Sequence, residues 1–309
     1  MAGSGAPILV TGAAGSVGAV GRGVVAELRR RGLPVRALVH REDERAAALR
    51  ATGAEVVAGD LTRAPDVVRA LDGCGRMYFG MSVSPRYLEA TMTTAVVARA
   101  SARLEALVNM SQMTVSQMDL TSTAESTQHR QQWLAEHALN WSGLPVTHIR
   151  PTVFMENPLF EVFVYASIAQ EGTIRLPFGT GRTSPVAARD VAAVVAEVLA
   201  DPPAHIGRVY QLTGPASRDM TAMAEEFSSA LGRPVSYVDV SYEAWVNHDL
   251  GALGLPAHVA DHLATMARLH AENRYDRVTD DIERITGRPA TGVREFVRDH
   301  PGKFTEGAG

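Results

Sequence analysis

Residues 8–18 read Ile-Leu-Val-Thr-Gly-Ala-Ala-Gly-Ser-Val-Gly, an apolar run followed at once by glycines spaced as G-x-x-G-x-x-G. The run predicts a buried strand, and the residues after it predict a helix that ends at Gly32. Gly12 permits a tight turn, Gly15 lets the backbone approach a pyrophosphate, and Gly18 lets helix and strand pack closely. Because the start of such a helix offers unpaired N–H groups, this stretch predicts a dinucleotide-binding turn.

Beyond this turn, short apolar runs alternate with helical patterns through the first half of the chain. The alternation is typical of βαβ units, so the predicted fold class is α/β, a Rossmann doubly wound parallel sheet. A later helix is predicted to begin at Arg41, and Asp190 is predicted to N-cap another. After Thr221 the pattern is helical and little strand signal remains. The further predicted strands are residues 35–39, 55–57, 77–79, 104–110, 146–149 and 209–212.

Composition excludes several classes of protein. The chain has 309 residues and a formal net charge of −4, and a single cysteine rules out an internal disulfide. The longest basic tract has three arginines, so no nucleic-acid partner is expected. His258 and His262 have i, i+4 spacing but no intervening Glu, and they are predicted to be exposed helix residues rather than metal ligands. No signal peptide or membrane span is visible, which predicts a cytoplasmic protein with no membrane partner.

The end of the second strand distinguishes the two nicotinamide cofactors. NAD sites usually place Asp or Glu there for the ribose 2′-hydroxyl, whereas residues 39–41 are Val-His-Arg. Arg41 could pair with a 2′-phosphate, with Arg36 and Arg22 as alternatives. It could instead be solvated and neutralised by the two acidic residues that follow it. The sequence therefore favours NADP(H) over NAD(H).

Several further motifs resemble the NmrA-like branch of the atypical short-chain dehydrogenases/reductases. They are Gly-Asp-Leu at 59–61, Ser-Gly-Leu-Pro-Val-Thr-His-Ile-Arg-Pro at 142–151, Phe-Met-Glu-Asn at 154–157, the P-V … D-V-A pattern at 185–192, Leu-Thr-Gly-Pro at 212–215 and Ile-Thr-Gly-Arg-Pro at 285–289. Together with the glycine turn they cover nearly the whole chain. The resemblance implies an NAD(P)-binding Rossmann domain, residues 1–153 with 184–214, and a small, mostly helical substrate-binding lobe, residues 154–183 with 215–309.

The same resemblance implies a choice between two functions. The family includes NADPH-dependent reductases of quinones, azo dyes and triphenylmethane dyes, and similar enzymes tailor aromatic polyketides. It also includes non-catalytic regulators that bind NADP(H) as redox sensors. The favoured interpretation is an NADPH-dependent oxidoreductase that transfers hydride to a quinone or polycyclic aromatic substrate, and the alternative is a sensor. A nucleotide-sugar epimerase is a third, weaker interpretation.

The chain departs from the superfamily's catalytic group, in which a Ser, a Tyr and a Lys four residues later act together. Ser111 matches the Ser, but Gln128 falls near the Tyr position and Gln132 at the Lys position. Carboxamides do not titrate, so ordinary alcohol dehydrogenase chemistry and epimerisation are disfavoured. A quinone needs less help, because hydride addition yields a stable aromatic anion. Ser111, Gln112 and Gln132 are therefore predicted as catalytic hydrogen-bond donors, and His129 as either a proton donor or a surface histidine.

The cofactor contacts follow from the strand ends. Residues 59–61 are placed near adenine, residues 80–82 along the ribose and nicotinamide, and Gln132 where a Lys would hold the ribose. The expected partner is a small aromatic substrate; the oligomeric state is open, with a homodimer as one candidate. The predicted cofactor-binding residues are Gly12, Gly15, Ser16, Val17, Gly18, His40, Arg41, Asp60, Leu61, Gly80, Met81, Ser82, Gln132 and Val153.

Overall fold

The computed structural model describes residues 5–15 and 20–305, and these form two compact units. The first unit contains residues up to 118, with 127–151 and 188–211. The second contains residues 119–126, 152–187 and those from 212 onward. The predicted boundaries differ from this division mainly at residues 119–126. The assignment of cofactor binding to one part and substrate binding to the other stays a prediction.

A sheet organises the first unit, and among the described residues its strand order is β3-β2-β1-β4-β5-β6-β8. The pairs from β3 to β6 are parallel, and Val10 stands opposite Ala37 of β2 and Tyr78 of β4. The order reverses between β1 and β4, which makes this the switch point of a Rossmann sheet and confirms the predicted fold class. The strands are β1 Ile8–Val10, β2 Val35–Val39, β3 Glu55–Ala58, β4 Arg76–Phe79, β5 Ala106–Met110, β6 Val146–Pro151, β7 Thr173–Leu176, β8 Val209–Leu212 and β9 Ser236–Asp239.

Helices cover the sheet because their apolar faces need a partner surface. In the first unit α4 packs against α3 and α5, and α1 packs against α8. One buried cluster joins Leu9, Met77 and Leu107 of the strands to Val67 of α3 and Leu139 of α5. The helices are α1 Val20–Arg30, α2 Glu44–Ala51, α3 Ala64–Leu71, α4 Tyr87–Ser101, α5 Thr127–Trp141, α6 Pro158–Phe160, α7 Ser167–Glu171, α8 Ala188–Ala200, α9 Met220–Leu231, α10 Tyr242–Ala244, α11 Ala257–Ala271, α12 Asp281–Thr286 and α13 Val293–Asp299.

The helix boundaries correct two predictions. Helix α2 begins at Glu44 rather than Arg41, because the Asp43 carboxylate accepts the backbone N–H groups of Arg45 and Ala46 and so caps the helix. Helix α8 begins at Ala188, so Asp190 is not its N-cap. It lies in the first turn instead, where a carboxylate is favoured by the helix dipole.

The second unit contains a two-stranded parallel sheet that the sequence did not predict. Strands β7 and β9 pair from Thr173 opposite Ser236 to Leu176 opposite Asp239. Strand β9 escaped prediction because its four residues, Ser-Tyr-Val-Asp, are only half-buried at the centre and exposed at both ends. His262 is half-buried, not exposed as predicted, and its Nδ1 lies 2.9 Å from Ser126 Oγ. None of the helices in the described ranges combines the length and apolar character needed to cross a bilayer.

Candidate functional site

A groove of about 540 Å³ lies where the loops after β1, β2, β3 and β4 meet. In open α/β sheets, ligands bind at this carboxyl edge beside the switch point. Ser84 and Arg86 also line the groove and were not predicted from the sequence. The predicted residues Ser16, Val17 and Gly18 lie outside the described residues. The predicted cofactor residues that the structure brings together here are Gly12, Gly15, His40, Arg41, Asp60, Leu61, Gly80, Met81 and Ser82.

The glycine turn is tied to the loop after β4. The Thr11 hydroxyl donates to the Gly80 carbonyl at 2.9 Å and accepts from the Gly80 N–H at 2.9 Å. Gly12 has a φ of +67°, and a Cβ there would stand 2.6 Å from the Gly80 carbonyl oxygen. Only glycine suits both the left-handed backbone and this approach. The floor of the groove is therefore backbone without side chains, as a pyrophosphate cradle requires.

Gly21 makes a close contact with the glycine turn that was not predicted from the sequence. A Cβ on Gly21 would lie 2.7 Å from the carbonyl oxygen of Gly12, so α1 touches the turn at this residue. The signal was present in the sequence, since Gly21 continues the three-residue spacing of Gly12, Gly15 and Gly18. The close helix packing that was predicted for Gly18 is thus observed at Gly21.

Arg41 lines the groove without an ion pair to any residue in the described ranges. The two acids that were considered as its neutralising partners are engaged elsewhere. Glu42 pairs with Arg50 at 2.8 Å, and Asp43 caps α2 and pairs with Arg45 at 2.6 Å. The hydrogen bond from the Arg45 side chain is the main reason that the pKa of Asp43 is lowered. The donors of the Arg41 guanidinium are therefore available to an anion in the groove.

The alternative cations are poorly placed for this role. Arg36 pairs with Glu55 at 2.9 Å and donates to the Asp72 carbonyl at 2.6 Å, so it is a structural link between β2 and the end of α3. Arg22 is not among the residues that line the groove. Of the three arginines considered for a 2′-phosphate, Arg41 is the one that faces the groove.

A second polar pair lies across the groove. The Asp60 carboxylate accepts from the Thr62 hydroxyl at 2.7 Å and from its N–H at 2.8 Å. These bonds, the hydroxyl first, lower the pKa of Asp60 and keep it ionised. Arg86 approaches Asp60 at 3.7 Å while its guanidinium is held by Glu89 at 2.7 and 2.8 Å. Asp60 thus presents an acceptor, and Arg86 a cation, to the groove.

The predicted catalytic residues lie after β5 and on α5; Ser111 and His129 are buried, and Gln112 and Gln132 are half-buried. The Gln112 carboxamide oxygen accepts from the Thr114 N–H at 2.9 Å, which leaves its amide Nε2 without a partner among the described residues. The Oε1 atom of Gln132 is likewise buried and has none. The Ser111 hydroxyl has no fully formed hydrogen bond, although it lies close enough to Glu136 to lower the pKa of that carboxyl. The Gln112 Nε2 and the Gln132 Oε1 are thus available to a ligand, the first as a donor and the second as an acceptor.

Glu136, one helical turn after Gln132, forms a buried ion pair that the sequence did not reveal. Its carboxylate accepts two hydrogen bonds from the guanidinium of Arg150 on β6, one from Nε at 2.9 Å and one from Nη2. Burial, the largest single influence, would raise the pKa of Glu136, but the hydrogen bond from Arg150, the charges of His148 and Arg150 and the hydrogen bond from Ser111 together outweigh it, so the pKa is lowered. The pair could not be predicted from the sequence, because it depends on which face of α5 packs against β6.

The remaining predicted residues have other surroundings. Gln128 is 4% exposed, and its carboxamide oxygen accepts from the Ser84 N–H at 3.1 Å. His129 is buried, so the surface-histidine alternative is wrong, and its role as a proton donor stays a prediction. Val153 belongs to the second unit, where its carbonyl accepts from the Val186 N–H at 3.0 Å, and it is not among the residues that line the groove.

The sequence matches the NmrA-like family over residues 5–298. The chain belongs to this family. The prediction from the glycine turn and the later motifs is therefore confirmed, and the Rossmann sheet with its switch-point groove is the family's framework in this member.

Two relatives match along their full length. The chain is 30% identical over 300 residues to an NAD(P)H azoreductase of Xenophilus azovorans, covering 96% of this chain and 99% of the relative. It is 32% identical over 297 residues to a (4-alkanoyl-5-oxo-2,5-dihydrofuran-3-yl)methyl phosphate reductase of Streptomyces griseus, with the same coverage. Among solved structures, an NADPH-dependent quinone oxidoreductase from Escherichia coli, complexed with NADPH, superposes with a TM-score of 0.81 at 23% identity, over 94% of this chain and 99% of that one. At that identity the likeness concerns the fold.

Proposed function

We propose that this protein reduces quinones and related conjugated aromatic acceptors, aromatic polyketide quinones among them, by hydride transfer from NADPH. The wider class rests on the family and on the two full-length relatives, both of which are reductases. The chain is thus an NAD(P)H-dependent oxidoreductase. The choice of NADPH and of a quinone-like acceptor rests on the residues of the first unit.

The groove has the features that a dinucleotide phosphate needs. Backbone without side chains at Gly12 leaves room for the pyrophosphate, and Asp60 offers an acceptor to an adenine amino group. Arg41 would hold the 2′-phosphate, since its guanidinium is unneutralised and a fork of N–H groups matches an oxyanion. When bound, NADPH supplies the hydride.

The acceptor class rests on the expectation that carboxamides stand near the position of the superfamily's Tyr and at the position of its Lys. Gln128 and Gln132 hold no proton that they could give to an alkoxide. A quinone takes up one hydride to become a hydroquinone anion, which is stabilised by its ring and can collect its proton from water. The chain then only has to place the acceptor and offer hydrogen bonds. The Gln112 Nε2 is a buried donor without a partner among the described residues, and the Ser111 hydroxyl is a further donor. The buried Oε1 of Gln132 is an acceptor, so this residue would have to turn its amide group toward the anion in order to donate.

The test is anaerobic NADPH oxidation by the purified protein with a panel of naphthoquinones, anthraquinones, azo compounds and simple ketones. We expect turnover with quinones and azo compounds and none with isolated ketones. Ser111→Ala and Gln132→Ala should each lower kcat by about tenfold or more, since donors aimed at developing charge are usually worth at least this much. NADPH binding without turnover on any acceptor would reject the proposal in favour of a redox-sensing binding protein.

A further inference from the structure

Gln128 stands near the place where the superfamily keeps its acidic Tyr, and it is engaged in a different task. Its carboxamide oxygen accepts a hydrogen bond of 3.1 Å from the backbone N–H of Ser84, 44 residues earlier in the chain. The Gln128 side chain is 4% exposed, so water competes little for this bond. The bond joins α5 to the loop between β4 and α4.

Ser84 organises the part of that loop that walls the groove. Its carbonyl accepts from the Tyr87 N–H at 3.2 Å, and its hydroxyl accepts from the Arg86 N–H at 3.2 Å. Both Ser84 and Arg86 line the groove, and Arg86 faces Asp60 across it. A displacement of Ser84 would therefore also move Arg86, whose backbone N–H is bonded to the Ser84 hydroxyl.

We propose that Gln128 is a positioning residue that fixes the groove wall at residues 80–86 and thereby sets the affinity for NADPH. The inference rests on the proposed function, because it takes the groove as the dinucleotide site. It assigns Gln128 to cofactor binding through Ser84, with no part in proton transfer. Variation at Gln128 should thus change dinucleotide affinity and leave the hydride step intact.

The chain supplies a matched control on the same helix. Gln131 makes the same kind of bond, its carboxamide oxygen accepting from the Leu88 N–H at 3.0 Å. The Gln128 bond ties α5 to the loop before α4 and the Gln131 bond ties it to the first turn of α4, but Leu88 does not line the groove. A general loosening of α4 would follow from the loss of either bond, whereas an effect on the cofactor should follow only from the loss of the Gln128 bond.

The experiment compares Gln128→Met, Gln131→Met and Gln128→Glu in the full-length protein. NADPH affinity is measured by fluorescence titration, kcat at saturating NADPH, and Tm by calorimetry. Gln128→Met should raise the Kd for NADPH roughly five- to tenfold, the size of one buried hydrogen bond, with kcat little changed. Gln131→Met should lower Tm but leave the Kd unchanged, and Gln128→Glu, which keeps an acceptor, should restore affinity.

An unchanged Kd in Gln128→Met, or an equal rise in Gln131→Met, would overturn the inference. Hydrogen exchange of the Ser84 amide in the wild-type protein gives a second measurement if Gln128→Met does not fold. That amide should be protected from exchange in the absence of NADPH. Protection that appears only when NADPH binds would contradict the claim that Gln128 fixes residues 80–86 before the cofactor arrives. A wild-type protein that binds no dinucleotide would instead reject the proposed function, and the inference with it.

Discussion

Gly21 of α1 touches the carbonyl oxygen of Gly12 so closely that a Cβ on Gly21 would stand 2.7 Å from it. The same Cβ would lie 2.8 Å from the Gly12 carbonyl carbon and 2.9 Å from the Ala13 nitrogen. These are backbone atoms of the turn, which cannot swing aside as a side chain can. The contact fixes the distance between the helix and the phosphate cradle.

Gly21→Ala should therefore both destabilise the protein and weaken dinucleotide binding. We expect a loss of about 1–3 kcal/mol in the free energy of unfolding, the usual cost of overpacking, and a higher Kd for NADPH. Denaturant unfolding and cofactor titration measure the two effects. Gly75→Ala is the control, because its Cβ would meet nothing closer than 3.7 Å. Equal behaviour of the two variants would contradict the role given to Gly21.

Arg41 should decide the preference for the 2′-phosphate. Arg41→Gln removes a charged donor, and a hydrogen bond to a charged group is worth about 1.5–3 kcal/mol, or roughly 10- to 100-fold in Kd. We expect that loss for NADPH and little change for NADH, measured by titration of both. Arg50→Gln is the control, since Arg50 is paired with Glu42 and is not among the residues that line the groove. Equal losses for the two cofactors would show that Arg41 does not contact the 2′-phosphate.

Glu136 should contribute to stability in a way that depends on pH. Its carboxylate is buried against Arg150, and its pKa in the folded protein lies below the ordinary value of about 4.3. The stabilisation is thus present above that value and is lost as pH falls through the folded-state pKa. Glu136→Gln should cost about 3 kcal/mol near neutrality, because it leaves Arg150 buried without a counter-charge.

The measurement for Glu136 is the free energy of unfolding of wild type and Glu136→Gln from pH 3 to pH 7. The difference between them should shrink as the solution becomes acidic. Glu105→Gln, which removes an exposed partner of Arg76, should cause little change at any pH. A difference between wild type and Glu136→Gln that does not vary with pH would mean that the carboxylate is not the source of the effect.

The fold was predictable because its decisive features are local in the sequence. The apolar run before Gly12 and the alternation of strands and helices depend on neighbouring residues, and together they place the groove at the switch point. Arg41 was accessible for the same reason, since it directly follows β2. The engagement of Glu42 and Asp43 by other arginines was not accessible, because it depends on where α2 begins.

The features that escaped prediction depend on register between distant segments. Gln128 meets Ser84, and Glu136 meets Arg150, only because α5 lies on α4 and β6 in one particular rotation. Residue type alone indicated a helix face without saying which residues it would meet. Strands β7 and β9 were invisible for another reason, since each has only four residues and β9 is exposed at both ends, so they carry little periodic signal.

His270, in the second unit, is fully buried. Its ring stacks between Phe178 at 4.3 Å and Tyr275 at 3.8 Å, and its Nδ1 donates to the Met266 carbonyl at 2.7 Å. Its Nε2 has no partner among the described residues. Burial lowers the pKa of His270 to about 3, so the ring is neutral in the folded protein.

In the unfolded chain this histidine has an ordinary pKa of about 6.5. Between that pH and about 3 it is protonated in the unfolded chain and neutral in the folded chain. Stability should therefore fall as pH drops from about 6.5 towards 3, by about 1.4 kcal/mol per pH unit for this one group. His270→Gln should flatten that slope in calorimetric or denaturant unfolding between pH 4 and pH 6.5. His258→Gln, at an exposed position of the same helix, should leave the slope unchanged. If His270→Gln keeps the full slope, other groups must account for the acid sensitivity of the second unit.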